Sequence, residues 1–156
     1  MQAQEGKYLT FVLGSEEYGI PIKKVKEIIG MMGITNIPKT PEFVRGVINL
    51  RGKIIPILDL RLKFGLEEIE YTQRTCIIVV ETSSSDIQKQ MGIAVDSVSE
   101  VVNIQKGEIE PPPECGTQAS IEFLTGLGKV KGKVLLLLDI DRVLNSDELV
   151  LSREIK

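Results

Sequence analysis

The chain has 156 residues, 42% of them hydrophobic and 26% charged, which suits one folded domain or two very small ones and is too apolar for a disordered segment. Its formal net charge of −3, with 19 basic against 22 acidic side chains, gives no field that would gather nucleic acid, and no such partner is expected. Four Phe, three Tyr and no Trp leave branched aliphatics to fill the interior, and the many Val and Ile residues favour sheet. There is no basic–apolar–small leader pattern and no apolar run of about 18 residues, so a cytoplasmic protein without direct membrane insertion is expected.

In chain order, Leu9–Leu13 reads as a strand, Gly14-Ser15-Glu16-Glu17 as a turn and Tyr18-Gly19-Ile20 as the return strand. Pro21 can end that strand and open a helix. Ile22, Val25, Ile28 and Ile29 are then spaced by three or four, which predicts a short amphipathic helix closed by Gly30 and Gly33. Beyond Pro38 and Pro41, Phe43–Leu50 and Lys53–Leu58 form two apolar strands around an Arg51-Gly52 turn. Pro56 cannot donate to a sheet ladder and is expected at an edge or a bulge. Asp59 suits the N-cap of a helical turn Leu60–Phe64, and Gly65 stops it.

Arg74–Glu81 and Lys89–Asp96 predict two further strands around the polar Ser83-Ser84-Ser85 turn. Val98, Val101 and Val102 repeat the first helix spacing, but a strand fits them equally. A loop with three consecutive prolines leads to Phe123-Leu124. Lys131-Gly132 is a hairpin-like turn, Val134–Leu138 a dense buried strand, and Asp139 caps a last helical turn towards Leu144.

An internal repeat organises these elements. Glu42-Phe43-Val44-Arg45-Gly46 aligns with Glu122-Phe123-Leu124-Thr125-Gly126, and at the same offset of 80 Gly52-Lys53 meets Gly132-Lys133 and Leu58-Asp59-Leu60 meets Leu138-Asp139-Ile140. Upstream, at an offset of 73, Gly19-Ile20 meets Gly92-Ile93, Val25 meets Val98, Glu27 meets Glu100 and Ile28-Ile29 meets Val101-Val102. Two blocks in the same order point to duplication. Each unit, with several short strands, suits a small closed or nearly closed barrel without exposed edges. Such units are marginal alone, and packing two against one apolar seam would stabilise both and leave a groove.

Residues able to carry chemistry are sparse. The absence of histidine removes the commonest proton shuttle and neutral metal ligand. Cys76 and Cys115 have no local partners for zinc, and a disulfide between them stays open. Asp139-Ile140-Asp141 is better explained by a cap and a solvated carboxylate than by a metal. Ser83, Ser84 and Ser85 have no base nearby in sequence, the glycines lack the Lys-Ser/Thr partner of a phosphate loop, and Glu67, Glu68 and Glu70 read as a wet acidic edge. No catalytic, metal or cofactor site is expected. What stands out is surface for a partner. Arg51, on a turn between apolar strands, is either a solvated turn residue or a rigidly presented guanidinium suited to a carboxylate or carbonyl. Val25 suits core and surface alike, and Glu27 is expected to be exposed.

The chain resembles the bacterial chemotaxis coupling proteins of the CheW family. The likeness rests on Glu17-Tyr18-Gly19-Ile20, Val25-Lys26-Glu27-Ile28, Ile37-Pro38 with Thr40-Pro41, Gly46-Val47-Ile48-Asn49-Leu50-Arg51-Gly52, Pro56-Ile57-Leu58-Asp59-Leu60-Arg61, and in the second half Glu122–Gly128 and Leu144-Asn145-Ser146. It implies an all-β fold with short helices, two tandem SH3-like five-stranded β-barrels around a shared hydrophobic seam, over residues 7–150. The duplicated subdomains are expected at about 15–82 and 83–145, with the N-terminal strand 7–13 a candidate to complete the second barrel. The resemblance also implies an adaptor with no enzymatic activity. It would couple the cytoplasmic tips of methyl-accepting chemotaxis receptors, docked in the groove, to the C-terminal regulatory domain of the histidine kinase CheA. It marks Arg51 for receptor and kinase coupling and Val25 and Glu27 for receptor binding or signalling, with Asn49 and Gly52 beside Arg51 in the candidate protein-binding set. A generic β-barrel module binding a peptide or small ligand in the groove is the alternative.

Overall fold

The computed structural model describes residues 3–84, 87–112 and 123–144; the predicted features at Ser85, Cys115, Glu122 and beyond Leu144 lie outside them. Eleven strands build two sheets: β1 (Gly6–Leu13), β2 (Glu16–Pro21), β3 (Val25–Gly30), β4 (Val44–Leu50), β5 (Lys53–Asp59), β6 (Cys76–Ser84), β7 (Ile87–Val95), β8 (Ser97–Ile104), β9 (Ile109–Glu110), β10 (Leu124–Val130) and β11 (Lys133–Leu138). Among the described residues two short α-helices, α1 (Leu60–Lys63) and α2 (Ile140–Leu144), follow β5 and β11. The strand orders are β3-β6-β7-β5-β4 and β8-β1-β2-β11-β10-β9. Both are antiparallel except for one parallel pair each, β5 with β7 and β11 with β2. These are the two tandem SH3-like barrels, the second carrying β9 as an extra two-residue strand.

The repeat is visible in the backbone. Replacing β3, β6, β7, β5 and β4 by β8, β1, β2, β11 and β10 turns the first order into the second. The register shift between Val44 and Gly46 recurs between Leu124 and Gly126, and the shift between Val25 and Glu27 recurs where β8 meets Leu9 and Phe11. Asp59 N donates to Phe43 O at 2.8 Å and Asp139 N to Phe123 O at 2.9 Å. The matching strands β4 and β10 bury the same positions. Because β1 and β2 pair into the sheet of β8–β11, while β3–β7 form the other, each sheet draws strands from both copies of the repeat.

Closure is also duplicated. After β3 the chain bends so that Thr35 pairs with Val47 of β4, with N–H···O distances of 2.8 and 2.9 Å in the two directions. In the other sheet β9 does the same against Leu127 and Gly128 of β10. Pro56 faces Val47 just before the parallel ladder with β7 begins at Ile57, so its missing amide falls outside that ladder.

Three apolar clusters hold the molecule. Ile48, Ile55, Ile57, Ile77, Val79 and Ala94 fill the first barrel, and Tyr8, Val102, Ile104, Leu135 and Leu137 the second. The largest lies between them and takes Leu9, Phe11, Leu13 and Ile20 from one sheet, Leu58, Ile78, Val80, Ile93 and Val95 from the other, and Leu60, Ile140, Val143 and Leu144 from the helices. The scarce aromatics gather here: Phe11, Tyr18, Phe64 and Phe123 form a chain of rings 5.7–5.9 Å apart, and Lys63 Nζ sits 4.3 Å from the Phe43 ring centre. The seam is therefore a core in its own right.

Several elements differ from the sequence expectation. Ser83 and Ser84, expected in a turn, extend β6 and pair with Gln88 and Ile87 of β7. The helix predicted from Ile22, Val25, Ile28 and Ile29 is a single 3-10 turn, Ile22–Lys24, followed by β3. Inward and outward positions alternate along Val25–Gly30, with Val25, Glu27 and Ile29 half-buried and Lys26, Ile28 and Gly30 exposed. Because Ile28 is apolar yet points outward, the apolar spacing imitated a helix; β-branched side chains and pairing with β6 make it a strand. Val98–Val102, where helix and strand competed, lies in β8. Glu16 and Glu17, expected in the turn, open β2.

Candidate protein-interaction face

The Arg51-Gly52 turn joins β4 to β5 with φ of +52° and +89°, the left-handed pair that a two-residue hairpin requires. Asn49 Oδ1 accepts the Gly52 amide proton at 2.9 Å. Asn49 and Gly52 thus shape the turn, and Arg51 is what the turn presents, with 69% of its side chain exposed. β3 and β4 end the first sheet on opposite sides, yet closure through Thr35 brings Glu27 of β3 to Arg51, and their side chains form an ion pair. Exposed pairs of this kind contribute little stability, and the turn leaves the two opposite charges at the surface in fixed register.

Val25 lies on the same strand across the bulge at Lys26, half-buried, paired with Val80 and packed against the seam. Of the five sequence candidates, Glu27, Asn49, Arg51 and Gly52 are brought together at the closed edge. Val25 instead links that edge to the seam.

Two exposed aliphatics lie close by in the chain, Ile28 at 42% and Ile54 at 64%, but Ile28 points to the opposite sheet face from Glu27: it pairs with Ile78 of the seam cluster, whereas Glu27 pairs with Val79 of the barrel interior. Applying the offsets of 73 and 80 to the candidates would have found a second such face. Lys131 and Gly132 form the equivalent turn, at φ +53° and +75°. Lys131 Nζ reaches Glu100 Oε1 at 3.2 Å, and Val101 and Val134 are 50% and 55% exposed. Here Lys133 Nζ also bonds Glu17 Oε1 at 3.0 Å, and that carboxylate raises the Lys133 ammonium pKa. In the first barrel Gln90 takes the place of Glu17.

The aspartates expected as caps do cap. Asp59 Oδ1 accepts from Arg61 N at 2.9 Å and Leu62 N at 3.4 Å, and Asp139 Oδ1 accepts from Arg142 N at 3.2 Å. Asp59 also accepts from the Tyr71 hydroxyl at 3.1 Å. Burial first, then the Asp59 charge, pushes that hydroxyl's pKa up to about 12. Among the described residues no three His, Cys, Asp or Glu side chains gather as metal ligands, and no helix is long and apolar enough to cross a membrane.

A family model of the CheW-like domain matches residues 7–148. The chain belongs to the CheW-like domain family. This CheW-like chain is 44% identical over 145 residues to chemotaxis protein CheW of Klebsiella aerogenes, covering 93% of this chain and 85% of that protein. It is 30% identical over 144 residues to protein FrzA of Myxococcus xanthus, covering 91% and 87%. The crystal structure of the scaffolding protein TtCheW from Thermoanaerobacter tengcongensis superposes with a TM-score of 0.81 at 36% identity, covering 93% of this chain and 96% of that one. The CheW-like architecture of paired barrels is therefore shared over nearly the whole length.

Proposed function

We propose that the chain is a chemotaxis scaffold without catalytic activity that couples transmembrane chemoreceptors to the histidine kinase CheA in the cytoplasm, beneath receptor arrays. The receptor's cytoplasmic tip would dock in the groove between the barrels, and the kinase's C-terminal regulatory domain against a barrel end. The observation that carries this reading is Arg51, raised on a turn shaped by Asn49 and Gly52 and held in register by Glu27. A guanidinium so fixed offers a planar set of donors at low ordering cost. Val25 would tie any displacement of this edge to the seam, and so to the second barrel. The scaffold works by geometry: partners held at fixed relative positions bias one another without chemistry in the scaffold.

The test is Arg51→Asp, which sets a second carboxylate against Glu27 on an exposed turn. The variant should melt within a few degrees of the parent. Its assembly with receptor fragments and CheA should weaken about tenfold or more, roughly 1.4 kcal/mol, and receptor control of kinase activity should fall with it. Unchanged assembly and unchanged control would refute the assignment.

A further inference from the structure

Among the described residues the chain passes between the two sheets only twice, from β2 to β3 through Ile22–Lys24 and from β7 to β8 at Asp96. Both passages are pinned by an ion pair to one of the short helices. At the second, Arg61 Nη1 of α1 lies 2.7 Å from Asp96 Oδ2. The Gly14 amide donates to the same oxygen at 2.8 Å, Asp96 N donates to Val12 O at 3.1 Å, and Arg61 Nε donates to Glu67 O at 2.9 Å. Since α1 follows the β5 strand of one barrel and Val12 and Gly14 belong to the β1–β2 hairpin of the other, this cluster ties both barrels to the passage. The Arg61 and Asp96 side chains are 13% and 19% exposed, so water and salt screen the pair less than a surface one.

At the first passage Lys24 Nζ lies 2.8 Å from Asp141 Oδ2, and Asp141 sits on α2, which follows β11 of the second barrel. The offset of 80 places Asp141 on Arg61, and the offset of 73 places Asp96 on Lys23, the neighbour of Lys24. The same device therefore occurs twice, with the signs exchanged: base on the helix and acid on the passage in one, acid on the helix and base on the passage in the other. The seam between the barrels is apolar, and apolar packing is non-directional. Directional contacts across the passages are what can set an angle.

We infer that these two ion pairs are clasps that fix the angle between the barrels, and that Arg61 and Lys24 are positioning residues for the coupling proposed above. The inference rests on that reading only for its consequence, because the angle belongs to the chain alone. Breaking a clasp lets the barrels rock about the seam, so that displacement of one face no longer reaches the other in full.

The test measures distances between spin labels placed at Lys53→Cys and Lys106→Cys, one on each barrel, in the full chain carrying Cys76→Ser and Cys115→Ser. The parent should give one narrow distribution. Arg61→Gln and Lys24→Gln should each at least double its width while retaining a cooperative melt. Exchanging the charges, Lys24→Asp with Asp141→Lys, should return the width towards the parent value, a rescue that mere loss of stability does not produce. Unchanged widths in the folded glutamine variants, or an exchanged pair as broad as Lys24→Asp alone, would overturn the clasps. If Arg61→Gln does not fold, Lys24→Gln and the exchange decide the question. Narrow distributions throughout, with Arg51→Asp still abolishing receptor control, would remove the clasps and keep the coupling. Broadening with a harmless Arg51→Asp would do the reverse.

Discussion

Gly46 determines whether the first barrel can close. Its φ is +138°, and a Cβ there would lie 2.0 Å from the Thr35 carbonyl oxygen and 2.7 Å from its carbon. Both atoms are backbone and cannot step aside, so Gly46→Ala must open the Thr35–Val47 bridge. Two backbone hydrogen bonds at about 1 kcal/mol each, plus about 1–3 kcal/mol for an L-residue held at this φ, predict a loss of about 3–5 kcal/mol. Gly52→Ala is the control: φ is +89° and nothing lies within 4 Å of its Cβ, so only the backbone term of about 1–2 kcal/mol applies. With a urea slope of about 1–3 kcal/mol/M for a small protein, the difference of roughly 2 kcal/mol separates the two midpoints by about 1 M. Coincident midpoints would show that the bridge does not hold the barrel shut. Because β4 also carries Asn49 and leads into Arg51, Gly46→Ala should weaken partner assembly as well, beyond what lost stability explains.

The remaining predictions concern the caps, the seam and pH. Asp59→Ala removes the acceptor for two helix amides and for Tyr71, and should cost about 1–2 kcal/mol by thermal melting; Asp139→Ala, with one capping bond in hand, should cost less. Ile78→Ala should cost about 2–5 kcal/mol as a fully buried large-to-small change. Amide exchange should quicken in both sheets together, and acceleration confined to β3–β7 would show that the seam is not shared. Tyr71 titrates near 10 when unfolded and about 12 when folded. Its contribution is therefore complete below pH 10 and is lost as pH rises towards 12. Tyr71→Phe should show a shallower alkaline decline between those values, and parallel curves would exclude it.

Much of this was legible because the repeat constrains it twice. Strands such as Lys53–Asp59 and Lys133–Leu138 alternate or run apolar between turn residues, and the aspartates after them announce their caps. The Val25–Gly30 strand was not legible, since its outward Ile28 is apolar and so breaks the inside–outside rule on which periodicity depends. The violation was absorbed into a wrong period. Nor could spacing reveal that Glu27 meets Arg51. That contact depends on closure through Thr35, which no local signal marks.

The interleaving of the repeat bears most directly on function. A simple tandem of barrels, each built from its own stretch of chain, would need only one connection and could swing about it. Here β1–β2 lie with β8–β11, so among the described residues the chain crosses the seam twice, and the largest apolar cluster takes residues from both sheets. The two crossings flank one continuous core, and the ion pairs at Asp96 and Lys24 stand at them. A scaffold of the kind proposed would gain from such an arrangement, because a partner pressing on Arg51 would load β4 and β5. β5 hands the load to β7 through the parallel ladder and to the seam through Leu58 and Leu60. The same path runs back from Lys131 through β11 and β2. Coupling of the two faces would then follow from the way the repeat is threaded.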